Sequence, residues 1–252
     1  MTSSHQRGRI TARDQLFLEW LVQQYGAPLD VVARWYGVRR SRVYEIMQRL
    51  ERLGKIERVQ AYDDIPKSKQ GPAWVIPTRS TAHALLGSDP GPWTVRPSTA
   101  AHIRALAELR LALTGTTTNP QAWRSERLLR REAATMHSAR DIGAPTPYCH
   151  DAVFTDDSGK VWAVEAELSL KKGAGRMEST LMTSLEAARQ LQSSIDHAAR
   201  GISGVIYFCR GEQVRGHVER ALERVKAEHG EDRVRGIFVR DLDRIIAGRR
   251  AS

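Results

Sequence analysis

The sequence predicts an α+β protein, with a small helical unit closed by a β-hairpin and then a larger α/β domain with a mixed sheet. Three observations carry this. Apolar residues recur at helical spacing three times before residue 54, and two short strand-like runs follow. Residues 87–97 hold three of the ten prolines and two glycines without any periodicity, which is the composition of a linker. Beyond that break the pattern alternates as αββαβαβ. With 252 residues there is room for two modest domains, so the expected division is 1–87, a linker at 88–98, and 99–252.

In the first segment Thr11 can cap a helix that places Leu16, Phe17, Trp20 and Leu21 on one face and ends near Gly26. A short helix from Leu29 to Tyr36 stops at Gly37. A third starts near Arg39, turns Val43, Ile46, Met47, Leu50 and Leu53 inward, and stops at Gly54. A strand over Lys55–Ala61, a polar turn from Asp63 to Pro72 and a strand over Ala73–Pro77 complete a hairpin.

In the second segment Thr99–Leu113 and Trp123 to about Met136 read as helices. Strands follow around Cys149–Thr155 and Val161–Leu170, joined by the Asp156–Gly159 turn, with a further short strand near Ala144–Tyr148. A helix carries Met177, Leu181, Leu185, Ala188 and Leu191 at helical spacing. The strand Ile202–Phe208, a helix through Val214, Val218, Leu222 and Val225, and the strand Val234–Val239 end the series.

Composition narrows the function. No apolar run reaches the roughly 18 residues of a membrane span, and the first ten residues lack a signal-peptide core, so a cytoplasmic protein without membrane partners is expected. Cys149 and Cys209 make neither a disulfide framework nor a zinc site. The net charge of +10 suits a polyanionic partner, through release of counterions from a phosphate backbone. Residues 1–80 are the more basic part, with 14 Lys and Arg against 8 Asp and Glu.

Three helices and a hairpin in about 80 residues match a winged helix, and the third helix is the informative one. Its apolar stripe turns Ser41, Glu45, Gln48 and Arg52 to the far side, flanked by Arg42, Tyr44 and Arg49. With Arg39 and Arg40 at its start, these are the residue types that reach phosphates and base edges of double-stranded DNA in a major groove. Lys67 and Lys69, with Gln70, sit at the hairpin tip, where a wing would meet the backbone or minor groove. The competing reading is a protein-contact module whose charges are a solvated face.

The strand Val161–Lys171 alternates. Trp162, Val164, Ala166, Leu168 and Leu170 share one face, expected to be buried, and Glu165, Glu167, Ser169 and Lys171 share the other. Carboxylates about 7 Å apart on one strand face repel unless a cation lies between them, and a divalent ion is the economical partner. Asp151 on the preceding strand would sit beside Glu165 in a hairpin.

An Asp on one strand and Glu-x-Lys on the next is the skeleton of the PD-(D/E)xK superfamily, and the second segment resembles that restriction-endonuclease-like fold. Together with the winged-helix start, the Trp123–Arg127 segment, His150–Val153 and Val164–Lys171, the chain resembles the replication-relaxation family of actinobacterial plasmids and integrative elements, from about residue 10 to 240. The resemblance implies a DNA-associated role in the replication, maintenance or transfer of a mobile element, with a replication or transfer protein and a second copy of the chain as further partners. It also implies a nicking site, in which Asp151 and Glu165 hold Mg²⁺ or Mn²⁺ with Glu126 as outer ligand. Glu167 would be a second ligand or base, and Lys171 would stabilise the charged transition state. The sequence departs from the superfamily in carrying Glu167 where Lys is usual and His150 where Pro is usual. A transcriptional or copy-number regulator, or an assembly adaptor, whose catalytically silent nuclease-like domain serves dimerisation remains the alternative. In that reading the Glu pair is solvated at a sheet edge or bonded to Arg127 and Arg130. The remaining histidines, the cysteines and Gly173–Gly175 suggest no further site.

Overall fold

The computed structural model describes residues 9–61, 71, 73–137, 148–192 and 201–248. These form two compact units, Met1–Leu111 with Gly115–Thr118, and Ala112–Thr114 with Asn119–Ser252.

In the first unit α1 (Ala12–Gln23) opens with a capping box, in which Thr11 and Asp14 satisfy each other's main-chain N–H groups. β1 (Ala27–Pro28) leads into α2 (Leu29–Tyr36), which ends on Gly37 at φ 60°, a left-handed residue that lets the chain turn into α3 (Arg40–Arg52). β2 (Ile56–Val59) and β3 (Trp74–Pro77) pair antiparallel, and β1 adds to the other side of β3. The core gathers Phe17, Trp20, Leu21, Leu29, Trp35, Val43, Met47, Leu50 and Val75. Ile46 and Leu53 are half-buried, and Leu16, expected to face inward, is 47% exposed.

The expected linker is part of this unit. α4 (Arg79–Leu86) begins on a Thr78 cap and ends at Gly87. Trp93 then stacks on Tyr25, and Val95 is buried beside Ala61, Trp74 and Ala100. α5 (Pro97–Thr114) was expected to open the second domain. Instead Ala107 lies in the first unit's core, Arg104 and Arg34 pair with Asp30 and buried Glu108, and Arg110 reaches the Gln23 side chain at 2.7 Å. The compact units therefore divide about twenty residues beyond the proline-rich segment.

The second unit carries a five-stranded mixed sheet in the order β4-β5-β6-β7-β8, where β4 is Trp123–Ser125, β5 Ala152–Thr155, β6 Val161–Glu167, β7 Ile202–Cys209 and β8 Ile237–Asp241. β4, β5 and β6 pair antiparallel, and β6, β7 and β8 pair parallel. The parallel half requires crossover helices, supplied by α7 (Arg176–Gln192) and α8 (Glu212–His229). Both pack on the same face, where Met177, Leu181, Leu185, Val218 and Val225 meet Ala163, Val205 and Tyr207. α6 (Glu126–His137) follows β4 directly, and α9 (Leu242–Gly248) closes the described chain. Trp123–Ser125, read as the start of a helix, forms β4 because its backbone pairs with Ala152–Phe154. Residues 144–147 of the anticipated extra strand lie outside the described residues.

Candidate functional site

Two regions carry the expected chemistry, one in each unit. In the first unit the inward stripe of α3 is Val43, Met47 and Leu50, which leaves Arg39, Arg40, Ser41, Arg42, Glu45, Gln48 and Arg52 exposed. The Arg40 guanidinium lies over the ring of half-buried Tyr44 at 5.8 Å, and Arg42 pairs with Glu45 on the next turn. Arg39 stands at the N-cap without a side-chain capping bond, and the first turn holds no acidic residue. Three arginines therefore crowd the positive end of the helix dipole, where cations are unfavourable. Arg49, expected to flank this face, instead grips the Asp14 carboxylate with 2.7 Å bonds to both oxygens. Lys67 and Lys69 lie outside the described residues.

In the second unit, the β5–β6 register sets Ala152 opposite Val164, so Asp151 falls beside Glu165. The Asp151 N–H donates to the Val164 carbonyl at 3.1 Å, and its Oδ2 accepts from the Ala166 N–H at 2.8 Å. The Glu126 N–H donates to the Asp151 carbonyl at 2.9 Å, which brings the start of α6 to the same end of the sheet. Asp151, Glu165 and Glu126 thus lie at one end of the sheet, and the pairing of β4 with β5 accounts for Glu126.

The surroundings differ from expectation. Glu165 and Glu167 point to the face covered by α7 and α8, opposite Tyr207 and Cys209 of β7, and both are buried. A central strand in a covered sheet is enclosed on both sides, so alternation along β6 separates two buried faces rather than a core from solvent. The strand ends at Glu167, and Leu170, expected to be buried, is 41% exposed. Burial pushes the Glu165 carboxyl well above its ordinary value, and the Asp151 and Glu167 charges push the same way. The wholly buried His150 is driven down to about 4 by desolvation, so its Nδ1 contact with Glu165 Oε1 at 2.7 Å joins a neutral ring to the carboxyl group. Tyr148 packs edge-on against that ring and shares a hydrogen bond with Glu165.

The oxygen donors suit a hard divalent cation. Their arrangement does not: no three acidic, histidine or cysteine residues among those described come together closely enough to hold an ion. Glu126 turns to Arg130 at 2.6 Å, Glu167 holds Lys171 at 2.8 Å, and Glu165 holds His150. Sequence reasoning missed His150 and Tyr148 as partners of Glu165. The signal was present in Tyr148-Cys-His-Asp151, where residues leading into a strand share the register of the acid across from it.

The two units thus define a mixed α+β protein with an exposed basic helix in one unit and a buried acidic centre in the other. A family model described as replication-relaxation matches residues 29–206, and the chain belongs to that family. No curated protein and no solved structure matches the chain. Membership associates the protein with replication or relaxation in plasmids and mobile elements. No helix among the described residues is long and apolar enough to cross a membrane.

Proposed function

We propose that this protein binds duplex DNA of a plasmid or mobile element and acts in its replication, maintenance or transfer, with the first unit serving as a winged helix that presents α3 to the major groove. One observation carries the reading: Arg39, Arg40 and Arg42 are exposed at the N-terminus of a helix whose opposite side is locked in the core. That placement opposes the helix dipole, so it costs stability in the free protein, and a bound phosphate reverses the sign of the interaction. Ser41 and Gln48 on the same face offer donors and acceptors for base edges. The order of helices and strands, with β1 completing the sheet, supports the winged-helix reading.

The second unit, in this reading, is a nuclease-like scaffold. Its carboxylates are satisfied by His150, Lys171, Arg130 and the Ala166 N–H rather than arranged around an ion.

Both parts are tested with supercoiled plasmid in Mg²⁺ or Mn²⁺. The wild type is expected to retard the plasmid on a gel without nicking it, and Arg40→Ala with Arg42→Ala to weaken retardation and flatten its salt dependence. Unchanged binding by that variant would remove α3 as the contact surface. Metal-dependent nicking that disappears in Asp151→Asn and Glu165→Gln would restore the catalytic roles of those residues.

A further inference from the structure

The winged-helix reading takes its arginine contacts from Arg39, Arg40 and Arg42, and the structure gives Arg49, read as flanking that face, a different place. Arg49 faces α1 rather than solvent, and both its bonds to Asp14 are 2.7 Å long. Asp14 is 1% exposed and is held by partners from three elements. The Thr11 N–H and hydroxyl donate to it at the start of α1, at 2.8 and 2.7 Å. The Tyr36 hydroxyl donates from the end of α2 at 3.2 Å, and Arg49 donates from α3. Arg49 also donates to the Arg9 carbonyl at 3.1 Å, which holds the described start of the chain against α3. Arg13 joins α1 to the end of α2 through the Tyr36 carbonyl.

We infer that Arg49 is a positioning residue for DNA recognition: through Asp14 it fixes the rotation of α3 against α1 and α2, and it makes no phosphate contact of its own. The inference rests on the DNA-binding reading of α3. The physical reason is geometric. Packing buries Val43, Met47 and Leu50 without a directional bond, whereas the Arg49 guanidinium, with Nη2 on both Asp14 oxygens and Nη1 on the Arg9 carbonyl, defines one orientation. A small rotation of α3 would carry Ser41 and Gln48 out of register with base edges while leaving the net charge unchanged.

The test compares Arg49→Lys and the double variant Asp14→Asn with Arg49→Gln, beside Arg40→Ala, in DNA binding across a salt series. Thermal unfolding monitors folding. Arg49→Lys keeps the charge but replaces the planar pair of nitrogens, one on Asp14 and one on the Arg9 carbonyl, with a single ammonium. It is expected to bind about tenfold more weakly with the wild-type salt slope. The double variant keeps the net charge and replaces the ion pair with a neutral pair, which avoids a buried unpaired carboxylate. It is expected to recover at least half of the lost binding free energy at an unchanged slope. Arg40→Ala is expected to lower the slope by about one. If Arg49→Lys binds like the wild type, or the double variant loses about one from the salt slope, Arg49 contacts phosphate and the inference is overturned. If instead Arg40→Ala changes neither affinity nor slope, the DNA-binding reading of α3 fails and this inference fails with it.

Discussion

Arg39 marks where local stability and proposed function pull apart. Its backbone, at φ −65° and ψ 154°, has N-cap geometry, yet an Arg there offers no acceptor to the orphan N–H groups of the first turn. Arg39→Asp supplies the acceptor and a charge of the favourable sign. The variant is expected to be more stable by about 1 kcal/mol in urea unfolding, and to bind DNA more weakly in a gel shift. A variant that binds as tightly as the wild type would show that this end of α3 faces no phosphate. The cysteines make a second point at this scale. Burial pushes the Cys149 and Cys209 thiols up to about 12, so the reactive thiolate is scarce at pH 8. Against an ordinary thiol near 8.5, the thiolate fraction falls about a thousandfold. Both are expected to react slowly with an aromatic disulfide reagent while the protein is folded and rapidly once it is unfolded, the folded-state rate rising with pH throughout the range 7–10.

At the scale of elements, the close approach of β7 and β8 depends on Gly204. Its φ of 152° belongs to glycine, and a Cβ built there would lie 2.1 Å from the Gly236 carbonyl oxygen. That carbonyl accepts the Val205 N–H at 2.7 Å, so it cannot withdraw without breaking the ladder. Gly204→Ala is expected to destabilise the protein by about 3 kcal/mol or more, measured as a lower urea midpoint. The segment between α4 and α5 is a second case. Its prolines and glycines gave it the composition of a flexible connector, but Trp93 and Val95 anchor it. Trp93→Ala is expected to cost roughly 1–3 kcal/mol, less than for a fully buried ring because Trp93 is half-exposed. A change near zero would restore the linker reading. Periodicity and caps made most helices legible, including the stops at Gly37 and Gly54. α4 also carries its cap at Thr78 and its stop at Gly87, but it buries only Thr81 and Ala82, so its sequence shows no apolar period to read.

For the whole molecule, the placement of α5 decides where the chain can be divided. Glu108 is 4% exposed and answers both Arg34 and Arg104, and Ala107 lies in the core. A fragment ending at residue 98 would leave the Phe17–Trp35 core open along the side that Ala107 fills. Residues 1–118 are expected to unfold cooperatively, and residues 1–98 to lack a sharp transition, as followed by circular dichroism against temperature. Two transitions of equal quality would mean that α5 adds little to the first unit.

The sequence alone determined the features that depend on local pattern. These are the helices and strands with a clear period, the exposed basic face of α3, and the register that sets Asp151 beside Glu165, which follows from hairpin pairing and β-alternation. Family membership was legible from the order of its segments. Only the tertiary structure decided the properties that depend on what lies across from a residue. It assigned α5 to the first unit, paired Arg49 with Asp14, and made β4 out of residues that read as helix. It also enclosed Glu165 and Glu167 beneath α7 and α8, because β6 became the central strand of a covered sheet. A single chain position encodes its own side chain and its near neighbours, whereas burial and charge pairing are set by segments far away in sequence.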